Sequence, residues 1–168
     1  EVKELSEDQY GNYIIQYIIE KRNGKNIKKI YEGLKGNLYE FSLHKYASNV
    51  VEKALTFGNA EERQQIINEI MERDDQMQEC LLSMVKDKFG NYVVQKIIEY
   101  SEEKTKQNII NRIISSQSLK KRDGFSKHVI NFIEKLNSSS NGNINFGMKQ
   151  NINLPQGQIL SSTNEKKN

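Results

Sequence analysis

Three short sets of residues recur along the chain, each able to read a hydrogen-bonding edge. Asn12, Tyr13 and Gln16 form the first, Ser48, Asn49 and Glu52 the second, and Asn91, Tyr92 and Gln95 the third. In each set the outer polar residues are four apart. On a helix that puts them on one face, about 6 Å apart along the axis, with the middle residue projecting to the side. Two amides offer both donors and acceptors. Uracil presents its O2 and O4 acceptors on either side of N3–H, and an Asn/Gln pair satisfies that edge. A carboxylate only accepts, whereas guanine offers N1–H and N2–H side by side, so Glu52 fits guanine. A wrong base would leave buried polar groups unpaired, at a cost of about 1–3 kcal/mol. A side chain such as Tyr13 or Tyr92 stacked on a base face is worth about 1–3 kcal/mol.

Such sets are useful only if the fold lines them up. Four stretches align without gaps: Tyr10 to Gln16, Tyr46 to Glu52, Phe89 to Gln95 and Phe125 to Asn131. Their last residues are 36, 43 and 36 positions apart. An aromatic, a small residue, a polar pair and an aliphatic pair recur in the same order. That period marks a solenoid of helical units, each stacking on the next. Ile14, Ile15, Ile18 and Ile19 make a broad apolar stripe, repeated by Val50, Val51, Ala54 and Leu55 and by Val93, Val94, Ile97 and Ile98. Further helices are predicted over Asn26 to Leu34, Glu61 to Met71 and Thr105 to Ile114. Gly24, Gly58 and the Asp74-Asp75 pair punctuate the connections. The longer second spacing adds about seven residues around Arg73 to Cys80, as a loop or a lengthened helix. From Asn137 the chain turns rich in Asn, Ser, Gly and Gln without a sustained period, which predicts a disordered tail over 137–168.

Composition narrows the classes. The chain has 168 residues, 25 Lys plus Arg against 22 Asp plus Glu, and a net charge of +3. Three lysines and one glutamate lie in the tail, so the repeat body carries only +1. Bulk charge alone does not suggest a nucleic-acid binder. A base-reading solenoid, though, can draw affinity from stacking and edge hydrogen bonds, and its binding should depend only shallowly on salt. The sole proline, Pro155, follows 154 residues without one, as an all-helical chain allows. No apolar run is long enough to span a membrane, and no secretory signal is visible. The chain opens at Glu1 rather than Met, as a fragment would. Cys80 is the single cysteine, which excludes a disulfide framework and a cysteine-rich zinc site. Two distant histidines and that cysteine supply no nucleophile–base pair. Neither a phosphate-binding loop nor a metal-ligand cluster occurs. No enzyme, cofactor or metal is expected.

In combination these motifs resemble the Pumilio/PUF RNA-binding repeats. Asn12-Tyr13-x-x-Gln16, Ser48-Asn49-x-x-Glu52 and Asn91-Tyr92-x-x-Gln95 match, in order, the last three of that family's eight repeats, including the longer spacing in the next-to-last. The stretch from Phe125 to Lys135 looks like the family's terminal cap. The resemblance covers about residues 4 to 136. It implies an all-α, right-handed solenoid forming part of a superhelix, with units near 1–36, 37–79 and 80–115, a cap at 116–136, and a first unit lacking most of its leading helix. It further implies single-stranded RNA running antiparallel to the chain, with a 5′ U on the third unit, G on the second and U on the first. Asn12, Gln16, Asn91 and Gln95 would read uracil edges, Ser48 and Glu52 the guanine edge, and Tyr13, Asn49, Tyr92 and His128 would stack. The cap has Lys127 and Asn131 at its reading positions and is assigned no base. A UGU core in messenger 3′ untranslated regions, cytoplasmic repression or decay through deadenylation or translation-repression factors, and a monomeric protein follow from the same resemblance.

The other reading is a protein-binding scaffold of the armadillo or HEAT kind, but a protein groove has no reason to repeat an amide pair and vary it with one Glu. Tyr10, Tyr46, Phe89 and Phe125 are expected to pack in the core or between units. Gly11, Ala47 and Gly90 should permit close helix approach. His44 is expected on the surface and Cys80 partly buried. Lys120, Lys121 and Arg122 form a basic cluster that either contacts phosphate or is simply solvated.

Overall fold

A computed structural model describes residues 1–22, 26–77, 79–119 and 124–139. Among them every regular element is a helix, which the proline-free sequence permits and its apolar periodicity favours. The first unit comprises α1 (Val2–Glu7), α2 (Gly11–Lys21) and α3 (Asn26–Leu34). The second has α4 (Leu38–Ser42), α5 (Ala47–Phe57) and α6 (Ala60–Met77), and the third α7 (Cys80–Lys86), α8 (Gly90–Tyr100) and α9 (Glu103–Ser115). A short 3₁₀ turn, Gln117–Leu119, and α10 (Ser126–Ser139) follow. In each unit a short helix leads into the helix that carries the polar set. The first unit is not short of its leading helix: α1 has six residues, between the five of α4 and the seven of α7.

Stacking joins α2 to α5, α5 to α8 and α8 to α10 in one layer. A single apolar core runs along it, from Ile15 and Ile19 through Val51 and Leu55 to Val94, Ile98 and Ile133. Each such side chain, fully buried, contributes about 1.5–3 kcal/mol. On α5 and α8 both aliphatic stripes are buried, because each helix has a neighbour on either side. On α2 the expected burial fails at Ile14, which is 56% exposed, whereas its counterparts Val50 and Val93 are fully buried. The cause is position: among the described residues, α2 has a layer neighbour on the α5 side alone.

The extra residues of the second unit lengthen a helix rather than a loop, since α6 continues through Met77. Asp74 and Asp75 therefore do not punctuate a connection; both lie inside α6. Asp74 is 1% exposed, accepts the Leu81 N–H at 2.8 Å and pairs with the Arg112 guanidinium, fastening α6 to the start of α7 and to α9. Glu69 works similarly, accepting the Gly36 N–H at 3.0 Å and the Leu38 N–H at 3.1 Å, which satisfies orphan donors where α4 begins. Asn59 and Glu62 form a reciprocal capping box at the head of α6, with bonds of 2.7 and 2.8 Å. The same Glu62 receives Arg22, whose guanidinium also donates to the Phe57 carbonyl and so ties the first unit to the second. Cys80 is fully buried rather than partly so. The helix α10 runs to Ser139, past the predicted start of the tail, because Leu136 still packs on the core and the helix continues for less than a turn beyond it. Residues 140–168, Gly24 and the Lys120 to Arg122 cluster lie outside the described residues.

Candidate nucleic-acid interface

The polar sets stand at the starts of α2, α5 and α8, so the way those helices begin fixes the geometry. Two residues before each N-terminal aromatic, one side chain accepts two backbone N–H groups. The Asp8 carboxylate takes Tyr10 N at 2.9 Å and Gly11 N at 2.7 Å. The Asp87 carboxylate takes Phe89 N and Gly90 N, both at 2.8 Å. In the second unit His44 does the same through Nδ1, with Tyr46 N and Ala47 N at 3.3 Å. His44 is thus a half-buried cap rather than a surface residue. The N–H groups of Gly11 and Tyr10 hold the Asp8 carboxyl below the usual carboxylate range. The caps bring each leading helix close to the helix that follows. A Cβ added at Gly11 would lie 2.8 Å from the Leu5 carbonyl oxygen, and one at Gly90 2.8 Å from that of Met84.

The aromatics at these helix starts do not all pack inward. Tyr10 and Phe125 are exposed, at 73% and 44%, and Tyr46 and Phe89 are half-buried beneath the Lys45 and Lys88 ammonium groups, 4.9 and 4.7 Å from the ring centres. As N-cap residues, Tyr10, Tyr46 and Phe89 leave the helix axis before its apolar stripe begins.

The first polar residue of each set, Asn12, Ser48 or Asn91, is buried. Asn12 Nδ2 donates to the carbonyls of Asp8 and Gln9 at 2.8 and 2.9 Å, and Asn91 Nδ2 to those of Asp87 and Lys88 at 2.9 and 3.1 Å. Both amide hydrogens are thereby spent on the preceding turn. Gln16 Nε2 donates to Asn12 Oδ1 at 2.7 Å, and Gln95 Nε2 to the Asn91 carbonyl at 3.3 Å and its Oδ1 at 3.4 Å. These bonds narrow what the amide pair can present. Each Gln retains Oε1; Gln16 also keeps one N–H, whereas Gln95 directs its N–H groups into two long, weak bonds to Asn91. An acceptor beside a donor is still what N3–H and a flanking carbonyl of uracil need. These local bonds also orient each pair, which the sequence spacing alone did not reveal.

The last residues, Gln16, Glu52 and Gln95, are half-buried, and the middle ones are open: Tyr13 is 68% exposed, Tyr92 50%, and Asn49 is exposed. Asn49 Nδ2 donates to the Lys45 and Tyr46 carbonyls at 3.4 and 3.3 Å, so a planar amide lies where its neighbours carry a phenol ring. His128 is exposed near the start of α10, beside α8. A cleft of about 330 Å³ crosses the layer, lined by Gln16 of α2, by Asn49, Glu52, Lys53, Thr56 and Phe57 of α5, and by Lys96 of α8. It joins two of the three end residues on one wall. Burial pushes the Glu52 carboxyl up, and the Lys96 charge opposes that rise. Lys53 pairs with Glu20 at 2.9 Å and Lys96 with Glu99 at 2.8 Å. Sequence reasoning missed Lys96. Its register, directly after Gln95 and matching Lys53, was the available signal.

Comparison with known proteins shows what the repeat is similar to. Pumilio homolog 11 of Arabidopsis thaliana is 43% identical over 67 residues, covering 40% of this chain and 12% of that protein. A crystal structure of PUF-8 in complex with PBE-RNA superposes with a TM-score of 0.67 and 30% identity, covering 79% of this chain and 38% of that one. The Puf3 RNA binding domain bound to a Cox17 RNA 3′ UTR recognition sequence gives 0.66 and 33%, covering 79% and 41%. The chain therefore spans less than half of each of these three proteins. The sequence model of the Pumilio-family RNA binding repeat matches residues 1–34, 37–71 and 80–114, one match per structural unit, and on that basis the chain belongs to the Pumilio family of RNA-binding repeats.

Proposed function

We propose that this chain reads three successive bases of single-stranded RNA as 5′-UGU, one per unit. The third unit takes the first U through Asn91 and Gln95, the second takes G through Ser48 and Glu52, and the first takes the last U through Asn12 and Gln16. Tyr92, Asn49 and Tyr13 stack between bases, with His128 at the 5′ end. The observation that carries this reading is the row itself: α2, α5 and α8 lie side by side, with an amide, a carboxylate and an amide at one register. For the amide units, the half-buried Gln offers Oε1 to uracil N3–H and an N–H to the flanking carbonyl, while the buried Asn beneath it holds that amide in place. For the middle unit, two carboxylate oxygens accept from guanine N1–H and N2–H. The Puf3 domain bound to a 3′ UTR sequence supports messenger RNA as the ligand class. The reading extends to cytoplasmic repression or decay of such messages by a monomer that recruits deadenylation or translation-repression factors.

A code swap tests it. Ser48→Asn with Glu52→Gln makes the second unit a copy of its neighbours and is expected to turn a preference for UGU into one for UUU. The change in the ratio should be on the order of tenfold or more, as one mismatched edge of about 1–3 kcal/mol requires. Competition binding with the two RNAs measures it. A double variant that still prefers UGU overturns the assignment of Glu52 to guanine.

A further inference from the structure

We propose that Lys96 of the third unit is a specificity-determining residue for the base read by the second unit, acting as a positioning counter-ion to Glu52 across the cleft they share. The inference rests on the reading of Glu52 given above and adds a residue to it. Both side chains line the same cleft, on α5 and α8, which pack directly against each other.

The charges around Glu52 can be enumerated from each element lining that cleft. Its own helix contributes Lys53, engaged by Glu20 at 2.9 Å. From α2 comes the neutral Gln16, and Asn49, Thr56 and Phe57 of α5 are also neutral. From α8 comes Lys96, held at 2.8 Å by Glu99 and 5.7 Å from the centre of the Tyr100 ring. Glu99 is exposed and on the same helix, and as a surface pair it is screened by solvent, whereas Glu52 is half-buried. Burial raises the Glu52 carboxyl, and Lys96 is the charge that lowers it; in return Glu52 is among the groups that raise Lys96.

The chemistry makes that balance matter. An ionised carboxylate presents two acceptors and suits guanine. A protonated carboxyl presents one acceptor and one O–H donor, the same pattern as the end of a glutamine. Protonation of Glu52 would therefore convert the second unit from a guanine reader toward a uracil reader. Because the carboxyl is raised, guanine preference is present above its pKa and lost as pH falls through it. Removing Lys96 raises that pKa further, so the loss begins at a higher pH.

The experiment is competition between UGU and UUU RNAs from about pH 8 down to about pH 4, a range that starts with the carboxylate ionised and ends in the ordinary carboxyl range. The full chain is compared with K96M, K96R and E52Q, with far-UV circular dichroism confirming equal helix content. For K96M the UGU:UUU ratio is expected to fall on the order of tenfold at the acid end and to recover at the alkaline end. K96R should behave as the parent, and E52Q should show a low ratio at every pH. If K96M keeps the parent's ratio at all pH values while E52Q loses it, the role of Lys96 is wrong and the reading by Glu52 stands. If K96M weakens both RNAs equally without pH dependence, Lys96 is a phosphate contact and the proposal fails. If E52Q also keeps the ratio, the guanine assignment itself falls.

Discussion

The second unit and its two neighbours share a backbone but differ at almost every polar position of the motif. The first and third begin Asp-x-aromatic-Gly-Asn-Tyr and end the set with Gln; the second reads His44, Tyr46, Ala47, Ser48, Asn49 and Glu52. The helices α2, α5 and α8 are nonetheless each eleven residues long, with the same capping register. The comparison separates two jobs. One group of positions holds the helix start, and its chemistry can change if each N–H still finds an acceptor. The other presents a hydrogen-bonding edge, and there Gln gives way to Glu52, which changes the end group from a mixed donor–acceptor amide to a carboxylate that only accepts.

Ala47 shows that even the scaffold is tuned unit by unit. It carries, fully buried, the methyl group that Gly11 and Gly90 lack. In the third unit that methyl would sit 2.8 Å from the Met84 carbonyl oxygen and 2.9 Å from the Met84 Cα, both backbone atoms that cannot move aside cheaply. Replacing glycine by alanine in an open helix usually stabilises by about 0.5–1 kcal/mol. Gly90→Ala is expected to do the reverse, destabilising by about 1–3 kcal/mol through overpacking. Urea denaturation followed by circular dichroism would measure it. A neutral or stabilising result would mean that α7 and α8 can part as readily as α4 and α5 have, and that the units are interchangeable at this position.

Much of this arrangement was legible in the sequence, because it rests on local periodicity. The helix predicted over Asn26 to Leu34 has those bounds, and the register of the three polar sets survives as one row. The misreadings share a physical cause, namely partners distant in sequence or missing on one side. Asp74 looks like a turn residue until Leu81 N and Arg112, 7 and 38 positions on, are seen to satisfy it. Ile14 looks like core until it is clear that none of the described helices of the layer covers it. The burial of Asn12 and Asn91 follows from carbonyls of the preceding turn, which a count of residue types does not include.

The caps offer a finer test of the same comparison. Asp87→Ala removes the acceptor of Phe89 N and Gly90 N and should cost about 1 kcal/mol, the ordinary worth of a helix cap. Its effect should register both in stability and in weakened binding of the 5′ base, since Tyr92 and Gln95 are carried by the helix it starts. Unchanged stability would show that water replaces the carboxylate without penalty.

The smallest effect, and the most discriminating, is expected at His44. Its Nδ1 accepts the same two N–H groups as the aspartates do, but at 3.3 Å each against 2.8 Å at Asp87. A carboxylate also favours the positive end of a helix, which a neutral imidazole does not. His44→Asp should therefore stabilise the chain by about 0.5 kcal/mol, while leaving the UGU:UUU ratio alone, because no edge-reading group changes. Denaturation and competition binding on the one variant check both halves. A gain in stability with an unchanged ratio would confirm that holding the helix and reading the base are separable in the second unit. A changed ratio would mean that the way α5 starts also sets where Ser48 and Glu52 point, and the division between the two groups of positions would have to be abandoned.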